Sequence, residues 1–196
     1  MMNIFFLIGH GGSGKSLYAK SIAEYWNSSE REVVYYDEDD KVTEVAGYSS
    51  FVELLKNEDS IQAFYNQYIE KLNIEAAKNQ DKVYIVSTGG FSILIDETLY
   101  ENAYKIYIKS SLADILKSVE ERREKGISFS VIKGFESVPK NLEFQGFELE
   151  AFKEYYFKAD LFYTQKMDLL IENNHQDKNI FDNNINKIVE CMKLIN

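Results

Sequence analysis

Apolar residues in this chain follow two rhythms: short unbroken runs, and stripes spaced three and four apart. "NIFFLIG" (Asn3 to Gly9) is an unbroken run closed by glycine, the pattern of a strand buried on both faces. "EVVYYD" (Glu32 to Asp37), "KVYIVSTGG" (Lys82 to Gly90), "AYKIYIKSS" (Ala103 to Ser111) and "DLLIENN" (Asp168 to Asn174) predict four more strands. Between them the period changes. Tyr18, Ile22, Tyr25 and Trp26 recur at helical spacing, as do Ile61, Phe64, Tyr65, Tyr68, Ile69 and Leu72. Leu112, Ile115, Leu116 and Val119 mark a helix running to about Lys125. Phe152, Tyr155, Tyr156, Ala159, Phe162 and Tyr163 mark another across Phe147 to Gln165, and Ile185, Ile188, Val189 and Met192 a closing one. From Gly126 to Gly146 neither rhythm holds, and Pro139, the only proline, falls there. An aperiodic stretch of that length predicts a functional loop, here a mobile lid over 126–146. Strands alternating with helices predict an α/β fold with a parallel sheet and helices on both faces.

Composition narrows the classes. The 196 residues fit one domain, 1–196, long enough for its own core. A formal net charge of −10 argues against a general nucleic-acid binder, which needs a basic face. It leaves room for an anionic small molecule, because a local loop can override the global field. Cys191 is the single cysteine, so no internal disulfide forms, which fits a reducing compartment. Its place in an apolar helical stripe predicts packing. No apolar run approaches the roughly 18 residues of a membrane span. The first residues lack a basic leader. A cytoplasmic protein without a membrane partner is expected, as a monomer or a homodimer.

"IGHGGSGKSL" (Ile8 to Leu17) carries the chemistry. Gly9, Gly14, Lys15 and Ser16 satisfy G-x-x-x-x-G-K-[ST], with a predicted strand before and a helix after. Glycines let several backbone N–H groups converge, and with the positive end of the helix they make a phosphate nest. Gly9, Gly11, Gly12, Ser13, Gly14, Lys15, Ser16 and Leu17 are the expected nucleotide contacts. Lys15 can reach the β- and γ-phosphates, and the Ser16 hydroxyl can ligate Mg²⁺. His10, at a free position of the pattern, reads as a bystander.

Other positions decide which kind of nucleotide protein this is. The second strand ends in "DEDD" (Asp37 to Asp40), at the edge where a parallel sheet opens its ligand crevice. In an extended segment Asp37 and Asp39 point the same way. One can hold Mg²⁺ and the other can accept a proton from a hydroxyl; a solvated acidic turn is the alternative. "STGG" (Ser87 to Gly90) brings Gly89 and Gly90 to the same edge, either for close approach to a substrate or as a tight turn. A guanine-reading N-K-x-D is missing: "QKMD" (Gln165 to Asp168) has the wrong first residue.

"IGHGGSGKS", "YYDEDDKV" and "VSTGGF", in that order and at those intervals, resemble the shikimate kinase family of P-loop small-molecule kinases. The resemblance implies a P-loop NTPase three-layer sandwich with strand order 2-3-1-4-5. It implies ATP and Mg²⁺ as cofactors and a small-molecule hydroxyl acceptor. Lys15 and Asp39 would be catalytic, Ser16 and Asp37 would serve the metal, and Asp39, Gly89 and Gly90 would line the acceptor pocket. Arg122 and Arg123 stand where the family often contacts adenine or phosphates; they equally suit the C-terminus of their helix. Lys133 is the lid cation that could reach the transferring group, with a solvated surface lysine as the alternative. Three places depart from the family. Tyr65 and Ala151 replace arginines that grip the shikimate carboxylate, and Phe91 replaces a glycine. Tyrosine and alanine cannot form the bidentate pair, so a neutral polyol, sugar or nucleoside suits this pocket better. A kinase-like protein that binds nucleotide but has lost its acceptor site is the alternative.

Overall fold

The run from Ile4 to Ile8 offers water no polar side chain, and in the computed structural model it is the central strand, β1, with all five residues buried. The structure describes residues 2–26, 31–57, 61–89, 97–124, 146–174 and 177–195. After β1 (Ile4–Ile8) come α1 (Lys15–Trp26), β2 (Glu32–Asp37), α2 (Glu38–Ala46), α3 (Phe51–Asn57), α4 (Gln62–Lys78) and β3 (Lys82–Thr88). A single 3-10 turn (Glu97–Tyr100) leads to β4 (Tyr104–Lys109), α5 (Leu112–Glu124), α6 (Gly146–Lys166), β5 (Leu169–Glu172) and α7 (Lys178–Ile195).

All pairings are parallel, and the order is β2-β3-β1-β4-β5, as the family resemblance implies. Alternation along β1 splits the core in two. Phe5 and Leu7 join Tyr18, Ile22 and Trp26 of α1 and Ile188 and Met192 of α7. Ile4, Phe6 and Ile8 face the other way, onto Tyr65, Ile69 and Leu72 of α4 and Ala159 and Tyr163 of α6. Three layers result, with each face of the sheet sealed by helices. The register sets Ile8 beside Thr88 and Asp37 beside Ser87, so β1, β2 and β3 end together at one edge.

Several expectations shift. The helices α2 and α3 were not expected, because neither carries a long apolar stripe. In α2 the buried residues are Glu38, Val42 and Thr43, of which only one is a hydrophobe. Tyr25, placed on the buried stripe of α1, is 53 % exposed, while Trp26 beside it is buried. β3 ends at Thr88, short of the glycines. The expected lid and its Lys133 lie outside the described residues, apart from Gly146, which opens α6. No described helix is long and apolar enough to cross a membrane.

Candidate functional site

Between β1 and α1 the chain makes a tight loop. Ser13 N donates to His10 O (3.0 Å), and Leu17 N and Tyr18 N both donate to Gly14 O (2.9 and 3.0 Å). Gly12 and Gly14 hold φ of 89° and 84°, values that favour glycine. At Gly12 an added Cβ would also sit 2.9 Å from Ser118 Cβ on α5. The first N–H groups of any helix lack an intrahelical acceptor and gather at its positive end. Gly14, Lys15 and Ser16 supply them here. The N–H of Leu17 is already bonded within the turn, so its 59 % exposed side chain is what it can offer a ligand.

The acidic cluster differs from its expected geometry. It is not an extended D-x-D with parallel carboxylates. Asp37 is the N-cap of α2, its Oδ1 accepting from Asp39 N (3.2 Å), and Asp39 lies in the first helical turn. Aspartate is among the best N-caps, and three further acids at the positive end of α2 favour the helix over more strand. The two carboxyls nevertheless share one environment. Burial raises the pKa of Asp37, and the Asp40 charge adds to this, while the Lys15 ammonium draws it down. Burial pushes Asp39 up to about 6, Lys15 opposes, and Asp37 and Asp40 reinforce.

Three hydroxyls complete this corner. Ser16 Oγ and Ser87 Oγ are 2.8 Å apart, and Tyr35 OH donates to Asp37 Oδ2 (3.3 Å). Burial, then the Asp37 charge, pushes Tyr35 to about 12, so it remains a donor at neutral pH. Ser16, Asp37 and Ser87 form an all-oxygen set, which suits a hard cation such as Mg²⁺. Among the described residues no three His, Cys, Asp or Glu gather into a metal cage. A cation here would therefore keep waters or share a ligand's oxygens.

Glu38, the spacer of the sequence pattern, is buried at 1 % exposure. It accepts hydrogen bonds from Thr88 Oγ1 and from Tyr100 OH, the latter at 2.8 Å. It thereby ties the start of α2 to the end of β3 and to the 3-10 turn. Tyr65, where the family resemblance calls for arginine, is 2 % exposed on α4. Its hydroxyl pKa is raised well above the usual range by burial, then by the charges of Glu38, Asp39 and Asp37. Tyr65 is thus core and also a neighbour of the acids. At Gly89 nothing among the described residues lies within 4 Å of an added Cβ. Gly90 lies outside the described residues, and Arg122 and Arg123 belong to the last turns of α5.

His10, at the free position of the motif, is buried. It is 3 % exposed, its Nε2 has no hydrogen-bond partner among the described residues, and it packs on Tyr156 at 4.6 Å between ring centroids, with Tyr155 and Tyr163 close by. Burial lowers its pKa from 6.5 to about 4, with Asp160 opposing and Lys15 assisting. Between those values the unfolded chain binds a proton that the folded protein refuses. Stability is therefore intact above pH 6.5 and falls by about 3 kcal/mol as pH drops toward 4. His10→Phe removes this loss. Urea unfolding of both proteins at pH 7.5 and pH 4 measures it, and the effect of every other group cancels in the difference. An identical pH dependence in the two would mean that the imidazole is hydrated.

A second cleft, about 210 Å³, lies among Tyr36, Lys41, Glu44, Tyr68, Lys71 and Glu75. Its polar groups answer one another: Lys41 pairs with Glu44 (2.7 Å) and Tyr36 OH donates to Glu75 (3.0 Å). The loop edge is the better site.

No family model matches the chain. No curated protein matches it either. Solved structures do. A shikimate kinase from Bacteroides thetaiotaomicron superposes with a TM-score of 0.65 at 14 % identity, over 98 % of this chain and 99 % of that one. A shikimate kinase from Acinetobacter baumannii, in complex with shikimate, gives 0.62 at 16 % identity, over 98 % and 93 %. An unliganded sugar kinase from Janibacter sp. gives 0.53 at 11 % identity, over 98 % and 95 %. With its 2-3-1-4-5 parallel sheet, its helices on both faces and its glycine loop after the central strand, the chain has the P-loop fold of the shikimate kinases.

Proposed function

We propose that this protein is an ATP-dependent kinase that transfers the γ-phosphoryl group to a hydroxyl of a small molecule. The observation that carries it is that the glycine loop bearing Lys15 and Ser16 and the acidic start of α2 meet at the edge where β1, β2 and β3 end, with Ser16 Oγ 2.8 Å from Ser87 Oγ. A phosphate nest, a cation corner and an acceptor-facing acid thus meet at one place. The shikimate and sugar kinases of the same fold support the reading.

In this reading the amides of Gly9, Gly11, Gly12 and Gly14 and the Lys15 side chain bind the phosphates, while the Ser13 N–H, held by His10 O, shapes the loop. Ser16 and Asp37 would hold Mg²⁺, which neutralises charge on the β- and γ-phosphates. Asp39 orients the acceptor hydroxyl and receives its proton, and a group tuned to about 6 is suited to that exchange. Gly89 leaves its backbone open beside the acceptor. Tyr65, packed in the core behind the acids, brings no positive charge to the pocket. Most of the rate comes from positioning and electrostatics, since phosphoryl transfer needs little covalent help from the protein.

Nucleotide binding is tested by thermal shift. At about a hundred times its Kd, Mg·ATP adds roughly 2.7 kcal/mol of stability. In a chain of this size that raises Tm by about 5–10 °C. Lys15→Ala should fold and lose most of the shift. An equal shift in that variant would remove Lys15 from the phosphate site.

A further inference from the structure

Ser13 has no freedom left in its main chain. Its N–H is bonded to His10 O, and its carbonyl accepts two hydrogen bonds, from Asn173 Nδ2 (2.9 Å) and Ser110 Oγ (3.3 Å). Both lone pairs of one oxygen are thereby occupied. The donors come from behind the loop. Ser110 follows β4, and Asn173 follows β5, 160 residues along the chain from Ser13.

Asn173 is itself pinned. It is 9 % exposed, its N–H donates to Lys109 O (2.7 Å), and its Oδ1 accepts from Tyr18 OH (2.8 Å). Tyr18 OH in turn accepts from Asn184 Nδ2 (3.1 Å), which also donates to Glu172 O (2.9 Å). A line of bonds runs from α7 through α1 to the loop, and it fixes which way the Asn173 amide faces.

A trans peptide is planar, with its C=O and N–H on opposite sides. Holding Ser13 O back against the sheet therefore turns the next N–H, that of Gly14, away from the sheet and toward the mouth of the loop. We propose that Asn173, with Ser110 beside it, is a positioning residue that aims the Gly14 N–H at a nucleotide phosphate. The inference rests on the phosphate-loop reading above. It explains why an amide stands at 173. A carboxylate there could still accept from Tyr18 but would face the Ser13 carbonyl with negative charge. A leucine would fill the space and make neither bond.

The test is calorimetric titration of the full chain with ATP and with ADP, in the unsubstituted protein and in Asn173→Asp, Asn173→Leu and Ser110→Ala. Either Asn173 change should raise the Kd of both nucleotides by about tenfold, the worth of one hydrogen bond to a charged group. Ser110→Ala, which leaves the stronger donor, should raise both a few-fold. A merely structural Asn173 would lower the melting temperature of the ligand-free protein and leave both Kd values unchanged; that result overturns the proposal. If the Asn173 variants do not fold, Ser110→Ala decides, and unaltered affinity there also overturns it. Failure of the unsubstituted protein to bind either nucleotide overturns the phosphate-loop reading itself, so the two failures are distinct.

Discussion

Asn in place of Asp39 should cost the protein its turnover and make it more stable. In the proposed mechanism Asp39 is the acceptor-facing base, a role worth on the order of 10²–10⁴ in rate, and an amide cannot take the proton. Stability moves the other way. Burial holds the folded carboxyl near pH 6, against 3.8 for an ordinary aspartate. Between those values the folded protein binds more protons than the unfolded chain, so stability falls as pH rises through the window. Above pH 6 the penalty is complete, at most about 3 kcal/mol and less where water screens a half-buried group. Asp39→Asn removes the charge and with it the penalty. Tm of the ligand-free protein should rise by several degrees at pH 8, and the gain should vanish near pH 4. Thermal melts at both values, beside coupled ADP release, measure the two halves. Undiminished turnover would free Asp39 from the reaction. An unchanged Tm at pH 8 would mean that its charge is well solvated.

Shikimate should be a poor acceptor, by about a thousandfold in affinity relative to an enzyme with both arginines. A carboxylate entering a pocket needs cationic partners, because an unpaired buried charge is expensive. Tyr65 and Ala151 occupy the two places where the resemblance calls for them. Each lost charged hydrogen bond is worth about 1.5–3 kcal/mol, and roughly 1.4 kcal/mol is tenfold. Near Tyr65 the charges are of the wrong sign, since Glu38, Asp39 and Asp37 all act on its hydroxyl. Neutral polyols, sugars and nucleosides bring hydroxyls to Asp39 without that conflict. ADP release with saturating Mg·ATP and millimolar shikimate, beside a panel of those compounds, separates the cases. Robust shikimate turnover with low-micromolar half-saturation would show that other groups replace the arginines.

How much was legible in the sequence follows from the range of each interaction. β1 and the loop after it were readable because both are local: five apolar residues in a row, then glycines at fixed offsets from a lysine. The sheet order came from the resemblance of three motifs. The start of α2 was misread because a strand ending in acids and a helix beginning with them share a spelling. Capping by Asp37 decided between them, and that is a property of backbone geometry rather than of spacing. Glu38 carried no signal, since its importance lies in Thr88 and Tyr100, fifty and sixty-two residues away. Asn173 reads only as part of a strand's end, because its partners Ser13 and Tyr18 are more than 150 residues away. The burial of His10 has no local signal either, because its aromatic neighbours are contributed by α6.

The bond between Asn173 and Ser13 also sets an order of events during synthesis. The ribosome makes the glycine loop 160 residues before the amide that braces it. At roughly 5–20 residues per second the loop waits on the order of 10–30 s for its brace. β1 waits as well, for β3 and β4 on either side, with its five apolar residues lacking the strands that will cover their edges. Until they arrive the nascent chain shows both bare edges of an apolar strand, in reach of chaperones.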